Sequence, residues 1–180
     1  MKILKIIFLT LFVVIGLLLV GGLFLKKEYN VSREVTINKP RQQVFNYIKY
    51  LKNQDKFSKW ANMDRAMKKS YRGVDGTVGF VSAWESKSKD VGVGEQEIKN
   101  IVDDERIDYE LRFMEPIKST SDASMLVNDA ELNATKVTWK FHGKMNYPLN
   151  IVMLFVNFEK AIGDDLQVGL TNLKSIMERG

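Results

Sequence analysis

The sequence contains no cysteine and a single histidine, His142, among its 180 residues. The absence of cysteine excludes a disulfide framework and a lipid anchor attached to a cysteine side chain. A zinc site would need mostly carboxylate ligands, which is an unusual donor set for zinc. His142 shares a strand face with Thr138 and Lys140, so we expect it to point to solvent rather than act as a catalytic base. We therefore expect no metal site and no cofactor.

A large excess of positive charge is also missing from most of the chain. Four of the 27 lysine and arginine residues precede Glu28, whereas all 22 acidic residues lie from Glu28 onward. The remainder of the chain therefore has a net charge of only about +1. Because a nucleic-acid-binding domain carries a basic surface, we exclude nucleic acid as a partner.

One long uncharged segment lies close to the N-terminus. Ile6 to Leu25 is interrupted only by Thr10 and three glycines. Its length of about 20 residues is enough to cross the roughly 30 Å hydrocarbon core of a bilayer as a helix. We predict a transmembrane anchor at residues 1–27, followed by one domain at residues 28–180.

A cleaved signal peptide is the alternative interpretation of this segment. Signal peptides have a shorter apolar core of about 7–15 residues and end in a small-residue cleavage site, which Gly21 to Lys27 does not provide. Lys2 and Lys5 nearly balance Lys26 and Lys27, so the positive-inside rule favours neither membrane orientation clearly. Since the leader is short, we predict a single-pass membrane protein with its domain on the extracytoplasmic side.

Four lysines recur at helical spacing after the anchor, namely Lys49, Lys52, Lys56 and Lys59. Residues three and four apart lie on one face of a helix. Such a face is either solvated or turned toward anionic lipid headgroups, where each lysine contributes about 1 kcal/mol. We carry the contact with anionic headgroups forward as a hypothesis.

The hydrophobic pattern of residues 28–180 predicts an α+β fold. Alternation predicts a strand at Tyr29 to Ile37, and Pro40 opens two short helices that extend to Trp60. An apolar stripe predicts one long helix from Leu149 to Met177. Alternating residues bounded by turn signals predict six further strands between them: Ala66–Tyr71, Thr77–Trp84, Val91–Val102, Arg106–Met114, Ser119–Asn128 and Thr135–Gly143.

Three stretches of this pattern resemble a known superfamily. Ile37–Phe45 is similar to the entry into its first helix, and Gly92–Gly94 with Arg106–Leu111 is similar to its central hairpin. Thr135–Trp139 and Gly169–Lys174 are similar to its last strand and the end of its last helix. The chain thereby resembles the START-related helix-grip superfamily (SRPBCC), which includes the birch pollen allergen and the polyketide cyclase/dehydrase-like proteins. None of the three stretches is specific for a reaction.

The resemblance implies a helix-grip: a curved antiparallel sheet of about seven strands around a long C-terminal helix, with a cavity between them. An apolar cavity with few polar groups suits a lipid-like or aromatic ligand. The alternative is that the same residues fill the core. The resemblance places twelve residues of this chain on the concave surface: Phe80, Ser82, Trp84, Tyr109, Leu111, Phe113, Met125, Trp139, Phe141, Phe155, Phe158 and Ile162.

Catalytic residues are scarce in the sequence. It has no nucleophile elbow, and Gly92-Val93-Gly94 lacks the spacing of a phosphate loop. Glu95 and Glu97 share one strand face, which we expect to be solvated because Gln96 and its alternating neighbours face inward. A cyclase-like enzyme would need polar groups in the cavity, and the candidates are few: Ser82, Gln96, Tyr109 and Arg33.

These observations leave three hypotheses open. The first is a membrane-anchored protein that binds a small hydrophobic molecule without catalysis. The second is an enzyme of the polyketide cyclase/dehydrase type, and the third is a noncatalytic interaction module with a filled core. The size and occupancy of the cavity separate the first from the third.

Overall fold

The computed structural model describes residues 2–179. Strands β1 to β7 form one antiparallel sheet in the order β1-β7-β6-β5-β4-β3-β2, and helix α4 packs across its concave face. Together they are an α+β helix-grip fold. The elements are α1 (Lys2–Gly22), β1 (Glu28–Ile37), α2 (Arg41–Ile48), α3 (Leu51–Phe57), β2 (Lys68–Arg72), β3 (Val81–Glu85), β4 (Val93–Val102), β5 (Arg106–Glu115), β6 (Ser119–Glu131), β7 (Ala134–Lys144) and α4 (Phe158–Arg179), with 3-10 turns at Trp60–Asn62 and Leu149–Leu154.

The alternation of apolar and polar residues determines which face of each strand is buried. On β5, for example, Ile107, Tyr109 and Leu111 face the core, and the residues between them face outward. Register shifts between Val93 and Gly94, and between Ile98 and Asn100, interrupt the pairing of β4 with β5. Such irregularities bend a strand and increase its twist, which helps the sheet to curve around α4.

Helix α4 lies against the sheet through a continuous apolar face that includes Leu166, Leu170 and Leu173. Its two internal glycines allow close packing rather than a kink, because the helix continues unbroken to Arg179. A Cβ atom at Gly169 would lie 2.8 Å from Cζ3 of Trp139.

The single long helix expected from Leu149 to Met177 is wrong in its first third. Leu149–Leu154 forms a 3-10 turn, and α4 begins only at Phe158. The break arises because Asn157 caps α4: its Oδ1 accepts a hydrogen bond from the backbone N–H of Lys160 at 2.9 Å, as N-cap side chains do. Phe155 therefore lies outside α4, with 74% of its surface exposed.

The predicted strands all form, with changes at their ends. The largest change is in β3, which begins at Val81 instead of Thr77. The preceding residues form a turn in which Gly76 and Gly79 have φ values of 80° and 87°, a conformation that glycine adopts at little cost.

The two ends of the sheet differ in what lies beside them. At one end β1 begins and β7 finishes, because Glu28 pairs with Lys144; we call this the α1 end. Helix α1 joins the sheet at this end. It is apolar and 21 residues long, and none of its 18 most hydrophobic consecutive residues is buried. Its length of about 31 Å at 1.5 Å per residue is sufficient to span a membrane. At the opposite end, the far end, the turns after β1, β4 and β6 meet.

Candidate functional site

A cavity of about 940 Å³ lies between the sheet and α4 at the α1 end. Strands β3 to β7 form one wall, α3 and the following 3-10 turn form a second, and the first two turns of α4 form a third. The far half of the concave face is filled instead by a dense core that includes Met125, Val127 and Leu173. The space between the sheet and α4 is therefore filled by side chains at the far end and contains the cavity at the α1 end.

Residue size along β6 explains where the filled half stops. The concave positions of β6 are Ser121, Ala123, Met125 and Val127, in order from the α1 end. The two small residues line the cavity, whereas Met125 and Val127 are buried in the core. Close packing of large side chains leaves no space of this size, so the small pair helps to create the cavity.

Eight of the twelve residues expected on the concave surface line this cavity: Ser82, Trp84, Leu111, Phe113, Trp139, Phe141, Phe158 and Ile162. Phe80, Tyr109 and Met125 are buried in the core of the far half, because strand alternation gives the face of a residue but not its position along the sheet. Phe155 is on the surface, for the reason given above. Contact of the eight with a ligand stays a prediction.

Aromatic rings form most of the apolar wall. Phe158 stacks on Tyr29 with ring centroids 5.1 Å apart, and Trp84 meets Phe113 edge to face at 6.0 Å. All three tryptophans of the chain, Trp60, Trp84 and Trp139, line the cavity. Aromatic surface of this kind packs well against aliphatic or aromatic ligands.

One polar group of residues stands in this apolar wall beside α3. Gln96 donates a hydrogen bond from Nε2 to Oε1 of Gln54 at 3.2 Å, and the Lys69 ammonium lies 3.1 Å from the Asp55 carboxylate. Gln54, Asp55 and Lys69 are not among the residues predicted for the site. They belong to α3 and to the edge strand β2. Their positions in the cavity wall depend on how these elements pack together, which the periodicity of the sequence does not reveal.

A second polar position is Asp165 on α4. Trp60 donates a hydrogen bond from Nε1 to its Oδ2 at 2.8 Å, and Lys59 forms an ion pair with it. Its sequence neighbour Asp164 pairs instead with Lys160 on the exposed side of the helix. Asp55 and Asp165 are thus two cavity carboxylates that are each paired with a lysine, and a third, Asp90, is exposed in the loop before β4.

The residues considered for catalysis do not meet at one place. Ser82 and Gln96 line the cavity, but Arg33 pairs with Glu159 at 2.7 Å and lies across Gly163. Tyr109 is fully buried in the core, and desolvation raises the pKa of its phenol well above the ordinary range. Among residues 2–179, no group of three or more histidine and acidic residues is placed to hold a metal ion.

Glu95 and Glu97 lie on the convex face, where Arg112 joins them. The Arg112 guanidinium is 2.8 Å from a carboxylate oxygen of each. Hydrogen bonds, led by that of Arg72 to Glu95 and that of Arg112 to Glu97, lower the pKa of both carboxyls. The pair is therefore an ion network outside the cavity and has no access to a ligand there.

Replacing Arg112 with alanine should destabilise the protein in a pH-dependent way. Both carboxyls have a lowered pKa when folded, so their stabilisation is present above the unfolded value of about 4.3 and is lost as pH falls through the folded values. We expect Arg112→Ala to cost about 1–2 kcal/mol at pH 7, allowing for partial exposure. Urea unfolding at pH 7 and pH 3 measures this. An equal loss at both pH values would contradict it.

The four lysines do not form one helical face. Lys49 follows the end of α2, Lys52 and Lys56 lie in α3, and Lys59 comes after it. Lys49 is 3.7 Å from Asp103 in the turn at the far end of the sheet. The expectation of a shared face is thus corrected, because the chain changes direction between the two short helices. Their contact with anionic headgroups stays a prediction.

Comparison with known proteins places this architecture among solved structures. No family model and no curated protein matches the chain. It is similar in structure to the Aha1 dimer protein from Colwellia psychrerythraea, with 14% identity over 83% of this chain and 96% of that chain and a TM-score of 0.56. It is also similar to ginseng major latex-like protein 151 from Panax ginseng, with 14% identity over 84% and 99% of the two chains and a TM-score of 0.58.

A third similar structure, Ara h 8.0201, is 10% identical over 85% of this chain and 99% of that chain, with a TM-score of 0.58. All three have the SRPBCC helix-grip fold. The resemblance seen in the sequence is therefore confirmed: the chain has the fold of the START-related helix-grip superfamily. At these identities the similarity extends to the fold alone.

Proposed function

We propose that this protein binds a small, mostly apolar molecule in the cavity at the α1 end, without chemical reaction. The observation that carries the proposal is the cavity itself. Its volume of about 940 Å³ lies near the upper end of the range of about 300–1,000 Å³ typical of small-molecule sites. Its mostly apolar, aromatic wall suits a lipid-like or aromatic ligand.

The polar residues of the wall define how such a ligand would be oriented. Gln54, Gln96 and the Asp55–Lys69 pair lie together on the α3 side. A few polar groups in an apolar pocket fix orientation by hydrogen bonding. We infer that the ligand carries one polar group, which contacts these side chains, and an apolar body that lies against the tryptophans.

The polar residues that line the cavity in the described part of the chain favour binding over an enzymatic role. The hydroxyl of Ser82 and the amide of Gln96 cannot act as general bases at neutral pH, as a carboxylate or an imidazole can. Of the three cavity carboxylates, Asp55 and Asp165 are each held by a lysine and by a second donor, Tyr71 or Trp60, and Asp90 is exposed to solvent. This arrangement suits fixed polar surface more than proton transfer.

We further propose that α1 anchors the protein in a membrane and that the domain lies on the extracytoplasmic side. The support is the length and apolar composition of α1, whose most hydrophobic 18 residues have high hydropathy and include no buried residue. A cleaved signal sequence would meet the same criteria, and sequencing the N-terminus of the mature protein distinguishes the two.

Tryptophan fluorescence tests the binding proposal directly, because all three tryptophans line the cavity. We expect dibrominated stearic acid, added to the full-length protein in nanodiscs, to quench their emission with saturation at one equivalent. Unbrominated stearic acid should reverse the quenching, which separates the cavity from simple partition into lipid. Quenching that never saturates and is not reversed by this competitor would contradict the proposal for a lipid-like ligand.

A further inference from the structure

The junction between α1 and the domain is a built contact rather than a loose linker. Asn150 is fully buried, and its Nδ2 donates a hydrogen bond to the carbonyl of Gly22 at 2.7 Å. Gly22 is close enough to the turn that an added Cβ would lie 2.6 Å from Cγ1 of Ile151. The backbone N–H of Met145 also bonds to the carbonyl of Lys27 at 2.7 Å. The end of α1 and the segment before α4 are therefore held together.

This contact fixes the depth of the segment relative to a membrane. From Ile6, the first residue of the apolar run, to Gly22, a helix rises about 25 Å, close to the roughly 30 Å thickness of the hydrocarbon core. Gly22 therefore lies near the boundary between acyl chains and headgroups. Lys26 and Lys27 follow at headgroup level. Residues that pack against Gly22 are at the same depth.

The segment before α4, residues 145–158, exposes apolar side chains where a protein surface usually has polar ones. Residues 145–158 contain no charged residue. Phe155 and Leu154 are 74% and 55% exposed, and Ile117 in the neighbouring β5–β6 loop is 55% exposed. Continuous exposed apolar surface marks a contact with a partner or a membrane. We call this surface the apolar collar; it comprises Ile117, Leu149, Val152, Leu154, Phe155 and Val156.

Part of the apolar collar also borders the cavity. Four of its members, Ile117, Leu149, Val152 and Val156, line the cavity as well as the surface. Lys118 and Lys144 are next to it and also line the cavity. Lysines in this position can reach headgroups while apolar neighbours enter the acyl region.

We propose that the apolar collar is inserted into the lipid leaflet from which α1 emerges, so that the cavity opens into the membrane. The ligand then moves between the cavity and the bilayer without passing through water. The partner of the collar is this lipid leaflet, because α1 passes through the leaflet and its contact with the segment before α4 holds the collar at the depth of the leaflet. The membrane contact rests on α1 as an anchor, and the exchange route rests on the proposed function.

Spin labels at single cysteines test the proposal, since the chain has no cysteine of its own. Phe155→Cys labels the collar, and Leu132→Cys labels a matched apolar position, 95% exposed, in the turn after β6 at the far end. Both sites are on the surface, so both variants should fold. The full-length labelled proteins are placed in phosphatidylcholine vesicles. Power saturation with oxygen and with a water-soluble nickel chelate then reports the depth of each label.

We expect the label at position 155 to be several-fold more accessible to oxygen than to nickel, and the label at position 132 to show the reverse. Equal exposure of both labels to nickel would overturn the proposal. So would shielding of the label at position 155 from both reagents, because a second copy or another protein would then cover the collar. Membrane depth of the label without saturable tryptophan quenching would leave the collar contact standing and refute the ligand function alone.

The exchange route has its own measurement. Phe155→Glu should slow transfer of dibrominated stearic acid from donor vesicles into the protein several-fold, because a charged residue resists insertion into lipid. The final extent of quenching should stay unchanged, since residue 155 does not line the cavity. An unchanged transfer rate would overturn the route through the membrane.

Discussion

Replacing Ser121 with phenylalanine is expected to abolish ligand binding while the protein remains folded. Ser121 is a small residue of β6 that lines the cavity, and a phenyl ring there would occupy the space that a ligand needs. Because the ring enters an existing cavity rather than a packed core, overpacking should be slight. We expect affinity for dibrominated stearic acid to fall at least about a hundredfold, which corresponds to about 2.7 kcal/mol.

The matched control is Ser124→Phe, three residues further along the same strand and on its convex face. Ser124 pairs with Lys140 and Asp108 and lies outside the cavity. This variant should retain the affinity of the unchanged protein in the same fluorescence titration. If Ser121→Phe binds as tightly as Ser124→Phe, the ligand does not enter the cavity between β6 and α4.

Replacing Gly92 with alanine is expected to be the most damaging small substitution in the domain. Gly92 has a φ of 65°, and an added Cβ would lie 2.0 Å from the backbone oxygen of Glu115. Backbone cannot move aside as a flexible side chain can, so β4 and β5 would have to separate at the α1 end. The positive φ adds a cost of about 1–2 kcal/mol for an alanine. Together these effects should destabilise the fold by at least about 3 kcal/mol.

Gly79→Ala is the matched control for backbone conformation. Gly79 has a φ of 87°, but nothing lies within 4 Å of an added Cβ. It should therefore show only the conformational cost. Urea unfolding of the two variants measures the difference, which we expect to be at least about 1 kcal/mol in favour of Gly79→Ala. Equal stability of the two variants would refute the steric clash at Gly92.

The sequence carried enough information for the fold because each strand has one buried and one exposed face. The alternation around Tyr109 on β5 and around Trp139 on β7 identified the concave side correctly, and the apolar stripe identified α4. The boundary of α4 was missed although a local signal existed. Asn157 is a favoured N-cap residue, and Glu159 follows it in the first turn.

The location of the cavity could not be predicted by the same reasoning. It depends on where small residues from different strands coincide, and this requires the register of the sheet. Ser121 lies opposite Leu111 and Gly143 only once the strands are paired. Polar wall residues such as Asp55 and Lys69 come together from a helix and an edge strand. Local periodicity contains no information about such long-range contacts.

Native mass spectrometry of the full-length protein, purified from its own source and released from detergent, tests the central claim most directly. We expect an additional mass the size of a lipid or aromatic molecule, which denaturation releases and which Ser121→Phe lacks. The released molecule identifies the chemical class of the ligand. A protein that carries no added mass, and gains none when a panel of lipids and aromatic compounds is supplied, would contradict the account.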